Sequence, residues 1–259
     1  MAKKELPAEI TSHDLLKTLA LWLMVIDHVG YFFMPEHEFL RLIGRFSAPI
    51  WFFLIGYAMT RKLEPRLWIA LGVMAVGNYL LDGYTLPVTI LATFLLIRLS
   101  IDQIMARANQ QFEVLFAWSW IFFLLAVPTG LLVEYGTLGF AYAAVGYLVR
   151  QRDTSALKPD RIYAFCFLSA MSYAVIQTVW FDFPVLYGIL LGVGLICVSF
   201  ALTSFKTETY PTLTKYSGPF AILIKLTGRR TLEFYVAHFL LFKYIALYGT
   251  EPFDWFSRI

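Results

Sequence analysis

Charge is what this sequence has least of. Of its 259 residues only 15% are Asp, Glu, Lys or Arg, while 59% are hydrophobic and the mean hydropathy is +0.66. A soluble domain carries about a quarter charged residues, so the composition excludes one and predicts a polytopic helical membrane protein, a single domain over residues 1–259. Cysteine is scarce too. Cys166 and Cys197 each lie in an apolar run and read as small buried hydrophobes, neither a disulfide nor a nucleophile. No internal repeat is visible, which counts against a secondary transporter with echoing halves. No phosphate-binding glycine loop is present either. The GVG at Gly192–Gly194 falls inside an apolar run, and Gly146, Gly188 and Gly192 read as helix-packing positions. The histidines show no ligand spacing, so no metal is expected. The net charge of +3 follows from basic loops on one membrane side and calls for no nucleic-acid partner.

What is present is a series of apolar runs. Nine spans can be placed by length, at about 15–34, 39–61, 66–82, 86–105, 113–133, 136–150, 161–181, 184–204 and 226–248. The loops alternate in charge. Lys3, Lys4, Arg61, Lys62, Arg66, Arg98, Arg107, Arg150, Arg152, Lys158, Arg161, Lys206, Lys215, Lys225, Arg229 and Arg230 all fall on one side, whereas the opposite loops hold Glu36, Glu38, Asp82, Glu134 and Asp182. The positive-inside rule predicts a cytoplasmic N-terminus and an external C-terminus. The fold class is therefore an all-α transmembrane bundle. The first run has no small-residue cleavage site after it and reads as an uncleaved span. Thr11 and Asp14 fit a capping box that starts it, with His13 on the surface beside the cap.

The stretch from Lys17 to Arg61 carries the candidate chemistry. Asp27 and His28 sit within an apolar helix, where an ionisable side chain marks a functional site by default. At about 100° per residue, Lys17, Met24, His28 and Tyr31 share one stripe, and Lys17 and His28 lie about 16 Å apart along the axis. In the second run Arg45 precedes Pro49, which should kink the helix. Arg45 reads either as a snorkelling interface residue or as a group that binds the acceptor or a developing oxyanion. Asn78 and Asp82 share a stripe, and Gln177 lies at a similar level; these could line one cavity or cap helices. Arg98 and Asp102 are spaced for an i, i+4 ion pair, with phosphate binding by Arg98 as the alternative. Glu233 and His238 are inward-facing candidates in the last run.

Two segments resemble a known family. KTLALWLMVIDHVGYFF followed by LIGRFSAPIWFFLIGYAMTR resembles the opening of the TraX-type pilin N-acetylases, within the broader acyltransferase-3 group of membrane enzymes. In that group a basic residue, ten spacers and a histidine occupy the first span. Lys17 and His28 reproduce the spacing, although the group usually has arginine at the first position. KLTGRRTLEFYVAHFLLF resembles the group's closing helix, with Gly228, Tyr235 and His238. The two segments cover about a quarter of the chain. The resemblance implies a multispan acyltransferase of the bacterial inner membrane. Its co-substrate would be acetyl-CoA from the cytoplasm, and its acceptor an amine or hydroxyl, such as a pilin N-terminus or a glycan. On that reading His28 is the general base, with Asp27, Arg45 and Tyr31 around it. Lys17, Arg98, Arg229 and Arg230 would meet the CoA phosphates, and Asn78, Asp82 and His238 the acceptor. The residues alone also admit a small transporter coupling protons through His28, Arg45 and Asp82, or an assembly partner without chemistry.

Overall fold

A capping box begins the first helix where the sequence places it. Thr11 Oγ1 accepts from the Asp14 N–H and an Asp14 carboxylate oxygen accepts from the Thr11 N–H, both at 3.1 Å, and α1 (Ser12–Phe33) follows. The structure is a computed structural model. It describes residues 7–83 and 85–249, with the Asp82 side chain outside that description. Lys3, Lys4 and the C-terminal residues, on which part of the orientation argument rests, also lie outside it.

Two prolines decide where long apolar runs break. A proline removes its own backbone donor and presses its ring on the carbonyl four residues back. The run expected as one span at 39–61 is two helices, α2 (Glu38–Gly44) and α3 (Ser47–Tyr57), parted at Arg45, four residues before Pro49. The run expected at 113–133 is likewise α6 (Phe112–Leu124) and α7 (Ala126–Gly130), parted after Leu124, four residues before Pro128. Between these pairs lie α4 (Pro65–Asp82) and α5 (Ile90–Ala108). Then come α8 (Gly136–Gln151), α9 (Pro159–Trp180), α10 (Val185–Thr203) and α11 (Pro211–Tyr216). The run expected at 226–248 is α12 (Pro219–Arg229) and α13 (Thr231–Tyr248), broken at Arg230. The fold is nearly but not wholly α: β1 (Ile10–Thr11) pairs antiparallel with β2 (Thr209–Tyr210), joining the foot of α1 to the segment before α11.

The core centres on α8, which packs on α3, α5 and α9. Tyr142, Phe52, Phe53, Phe165 and Tyr173 are fully buried there. The polar end of Tyr142 is met by Ser199 Oγ at 3.1 Å, as a buried hydroxyl requires. Gly146 lies against the Phe53 carbonyl, a helix-packing role. Outward, the surface is apolar: Val185, Leu186, Ile189 and Val193 of α10 are all more than half exposed. Such a belt suits lipid rather than water. Among the described residues, four segments are long and apolar enough to cross a bilayer: α1, α2 with α3, α9 and α10. Pro65–Leu81 and Phe112–Leu124 are apolar but shorter. Cys166 is buried as expected, but Cys197 is exposed, because its side of α10 faces outward.

Candidate active site

Asp27 projects from α1 toward the break between α2 and α3, and two arginines close on it. Arg41 Nη1 lies 2.9 Å from Asp27 Oδ2 and also donates to the Asp27 carbonyl at 3.1 Å. Arg45 adds a two-pronged contact to the same carboxylate: Nη2 meets Oδ2, and Nε donates to Oδ1 at 3.2 Å. Arg45 is only 4% exposed and Asp27 5%, so the pair is buried and not a snorkelling side chain at an interface. Arg45 Nη1 reaches Tyr135 Oη and Gln177 Oε1, both at 3.4 Å. The Phe181 ring lies under both guanidinium groups, at 5.0 Å from Arg41 and 4.5 Å from Arg45. Gly44 permits this approach, since a Cβ there would overlap the Asp27 side chain.

The helix break completes the arrangement. Pro49 has no N–H to give the Arg45 carbonyl, and Tyr173 Oη donates to that oxygen instead at 3.1 Å. Tyr135 is held at φ 65°, a left-handed conformation uncommon for a bulky residue. Its ring stacks on Tyr173 at 6.1 Å with its hydroxyl toward Arg45.

His28 faces a different partner. Its Nδ1 lies 2.8 Å from Nε2 of His238 on α13, whose Nδ1 lies 2.6 Å from the Phe234 carbonyl. Phe32, Tyr235 and Phe239 surround the His28 ring, with centroids 6.2, 6.4 and 5.0 Å away. Tyr31, the neighbour the sequence suggested, instead lies under Arg41 at 4.9 Å.

Two cavities approach this point from opposite ends of the bundle. One, of about 240 Å³, is lined by Lys17, Lys62, Arg66 and Arg98 together with an apolar wall that includes Met24, Leu91, Phe94 and Tyr235. The other, of about 670 Å³, is lined by Asp27, His28, Arg41, Arg45, Glu134 and Lys243 among aromatic side chains. They share no lining residue among those described. The wall between them is thin. His28 on one side contacts Tyr235 on the other, and Glu134 on one side accepts from the Ile90 N–H on the other at 2.7 Å.

The remaining expected residues distribute unevenly. Lys17 and Arg98 line the first cavity, with Arg98 also donating to the Lys62 carbonyl at 3.1 Å. Arg98 does not pair with Asp102, which Arg61 reaches at 3.0 Å from across the bundle. Arg229 lines neither cavity: it pairs with Asp14 and holds the Pro7 and Glu9 carbonyls. Beside it, Gly228 lets α12 rest on α1, where a Cβ would stand 2.7 Å from the Asp14 backbone. Arg230 pairs with exposed Glu233, which Arg66 also approaches at 3.9 Å. Asn78 lines the second cavity and accepts from Lys243 at 2.8 Å. The Asp82 side chain lies outside the described residues, and His238 lines neither cavity. His13 is not on the surface: it stacks on Phe205 at 5.2 Å and lines the first cavity, as its position beside Lys17 on α1 places it. His37 sits against Glu36 on the surface. Sequence reasoning passed over Arg41, Glu134, Tyr135 and Lys243 as site residues. The signal was available for Arg41, because a buried carboxylate such as Asp27 requires cations at its own depth.

An apolar helical body with helices long and apolar enough to cross a bilayer, and with carboxylate, guanidinium and imidazole side chains clustered inside it, defines a helical membrane protein with an internal polar site. Residues 12–245 match the family model described as TraX protein, and the chain belongs to that family. It is similar to an uncharacterized protein of Rickettsia prowazekii, 26% identical over 243 residues that cover 91% of this chain and 92% of the relative. It is also similar to protein TraX of Escherichia coli, 35% identical over 77 residues, 27% of this chain and 31% of that one. No solved structure matches it.

Proposed function

We propose that this protein is a membrane acyltransferase in which donor and acceptor enter by separate cavities and meet at His28. The observation that supports this reading is the thin wall between two cavities of different chemistry, with His28 in it. Acetyl-CoA, the donor the family resemblance suggests, would place its phosphates among Lys17, Lys62, Arg66 and Arg98 and its thioester toward Tyr235. Cations grouped at one mouth suit phosphate, and the apolar wall beyond suits the acyl arm. The acceptor, an amine or hydroxyl such as a pilin N-terminus, would occupy the Asp27 cavity.

Transfer then needs one proton moved twice. The acceptor nitrogen or oxygen bonds to the thioester carbonyl carbon as His28 takes its proton. The carbon–sulfur bond breaks, sulfur leaves with the electron pair, and His28 returns the proton to it as CoA thiol. Histidine suits this because its ordinary pKa near 6.5 lets it accept a proton around neutral pH. Direct transfer is preferred over an acyl-enzyme, since neither cysteine lines the site. The arginines beside Asp27 offer donors to the developing oxyanion. The Lys17 cavity faces the cytoplasm of a bacterial inner membrane in this reading, with the N-terminus inside, nine crossings and the C-terminus outside. The basic residues gathered at that end support the orientation.

The test is purified protein with labelled acetyl-CoA and an amine-bearing peptide. Wild type should consume thioester and label the peptide. His28→Ala should still bind CoA but lose transfer by about 10²–10⁴-fold, the usual share of general-base assistance. A folded His28→Ala protein that transfers at the wild-type rate would sink the mechanism. Proton flux in liposomes without thioester loss would favour a transporter instead.

A further inference from the structure

We propose that His238 is a positioning residue that fixes the tautomer of His28, so that the basic nitrogen of His28 is Nε2. The inference rests on the acyltransferase reading only for its consequence; the tautomer itself follows from hydrogen-bond roles. The Phe234 carbonyl can only accept, so the His238 Nδ1 that lies 2.6 Å from it carries the hydrogen. A neutral imidazole with hydrogen on Nδ1 has its lone pair on Nε2. With His238 neutral, that lone pair lies 2.8 Å from His28 Nδ1, which is then the donor. The chain of donors runs from His28 to His238 to the backbone, and His28 Nε2 is left as the lone-pair nitrogen.

The surroundings keep it so. Phe32, Tyr235 and Phe239 pack round the His28 ring by their rings, and the partner that its Nδ1 meets is His238 Nε2. Asp27, the adjacent carboxylate, is engaged by Arg41 and Arg45 and does not reach the imidazole. His238 lines neither cavity, whereas His28 lines the larger one. With Nδ1 turned to α13, the opposite ring edge is the one left for an acceptor. When Nε2 takes the proton, the Nδ1–H already points at a lone pair, so the ring need not turn during the reaction. A second group that orients the base is the usual logic of histidine catalysis. Here that group is a neutral imidazole held by a carbonyl, not a carboxylate.

The test uses the intact protein in nanodiscs with ¹⁵N-labelled histidine. His28 signals are assigned by their loss in His28→Ala. Wild-type His28 should show a protonated Nδ1 and an unprotonated Nε2. His238→Phe should abolish that preference and lower kcat by roughly 10²-fold or more, with KM for acetyl-CoA unchanged. His238→Gln, whose side-chain amide reaches the position of Nε2, should restore both the tautomer and much of kcat. His238→Asn, which reaches only as far as Nδ1, should restore neither. Retention of the Nδ1–H tautomer in His238→Phe, or equal behaviour of the Gln and Asn variants, would overturn the assignment. The tautomer readout needs no acceptor, so a failure of the transferase reading leaves a distinct record: the expected tautomer in a protein whose His28→Ala variant is undiminished.

Discussion

Asp27 is expected to be the most stability-critical polar residue of the site. Asp27→Asn keeps the shape of the side chain and removes its charge. Arg41 and Arg45 then face each other without a shared anion, and Arg45, although it lines the larger cavity, is only 4% exposed. Its other partners, the Tyr135 hydroxyl and the Gln177 carbonyl, are neutral and stand at 3.4 Å. Removing one member of a buried ion pair costs about 3–5 kcal/mol. At roughly 2–4 °C per kcal/mol for a chain of this size, that is a fall of about 6–20 °C in the melting temperature of the detergent-purified protein. Arg45→Gln should cost a similar amount. The double variant should cost clearly less than the two together, because it leaves no buried charge of Arg45 opposite a missing partner. A melting temperature within about 2 °C of wild type for Asp27→Asn would refute the reasoning and would mean that the arginines reach solvent.

Two further outcomes can be measured directly. Tyr173→Phe strands the Arg45 carbonyl and should cost about 1–3 kcal/mol, whereas in a Pro49→Ala background, where residue 49 regains an N–H for that oxygen, the same change should cost little; equal cost in both backgrounds, read by thermal unfolding, would separate Tyr173 from the helix break. Cysteine introduced near Lys62 or Lys158 should resist an impermeant thiol reagent in intact cells, while one near Asp182 should react; labelling at Lys158 from outside would reverse the proposed orientation.

Local features were legible in the sequence because their causes are local. The Thr11–Asp14 cap, the burial of Asp27 and the interruption ahead of Pro49 each follow from residues within a turn or two. The proline effect was read as a kink, and the structure shows a full break, because Tyr173 supplies from α9 the donor that Pro49 lacks. What spacing could not supply was the partner across the bundle. His28 is matched by a residue 210 positions away, and no helical periodicity connects α1 to α13. The same holds for Asp102, where the i, i+4 geometry with Arg98 was available but Arg61, 41 residues off, arrives at 3.0 Å. Arg229 looked like a loop cation free for a ligand. It is instead the fastener between α12 and the foot of α1, because Asp14, once its cap is made, still presents oxygens that Arg229 Nε and Nη2 reach at 3.2 and 3.1 Å.

The wall between the two cavities has a consequence for the cell that carries this protein. A shaft open from face to face of a membrane dissipates ion and proton gradients, and water in it would hydrolyse an activated ester. Among the described residues the two linings meet through ring contacts of Tyr235 with His28 and with Phe239 and through a hydrogen bond from Ile90 to Glu134, flanked by Met24 and Leu91. On the proposed reading such a partition would be insulation: it would stop small solutes and current, while a proton held on an imidazole would need to travel only the width of one side chain. On the same reading, enlarging it, for example by trimming Tyr235, would trade membrane tightness for access, so the size of that ring would be constrained by the energy economy of the cell as much as by chemistry at the site.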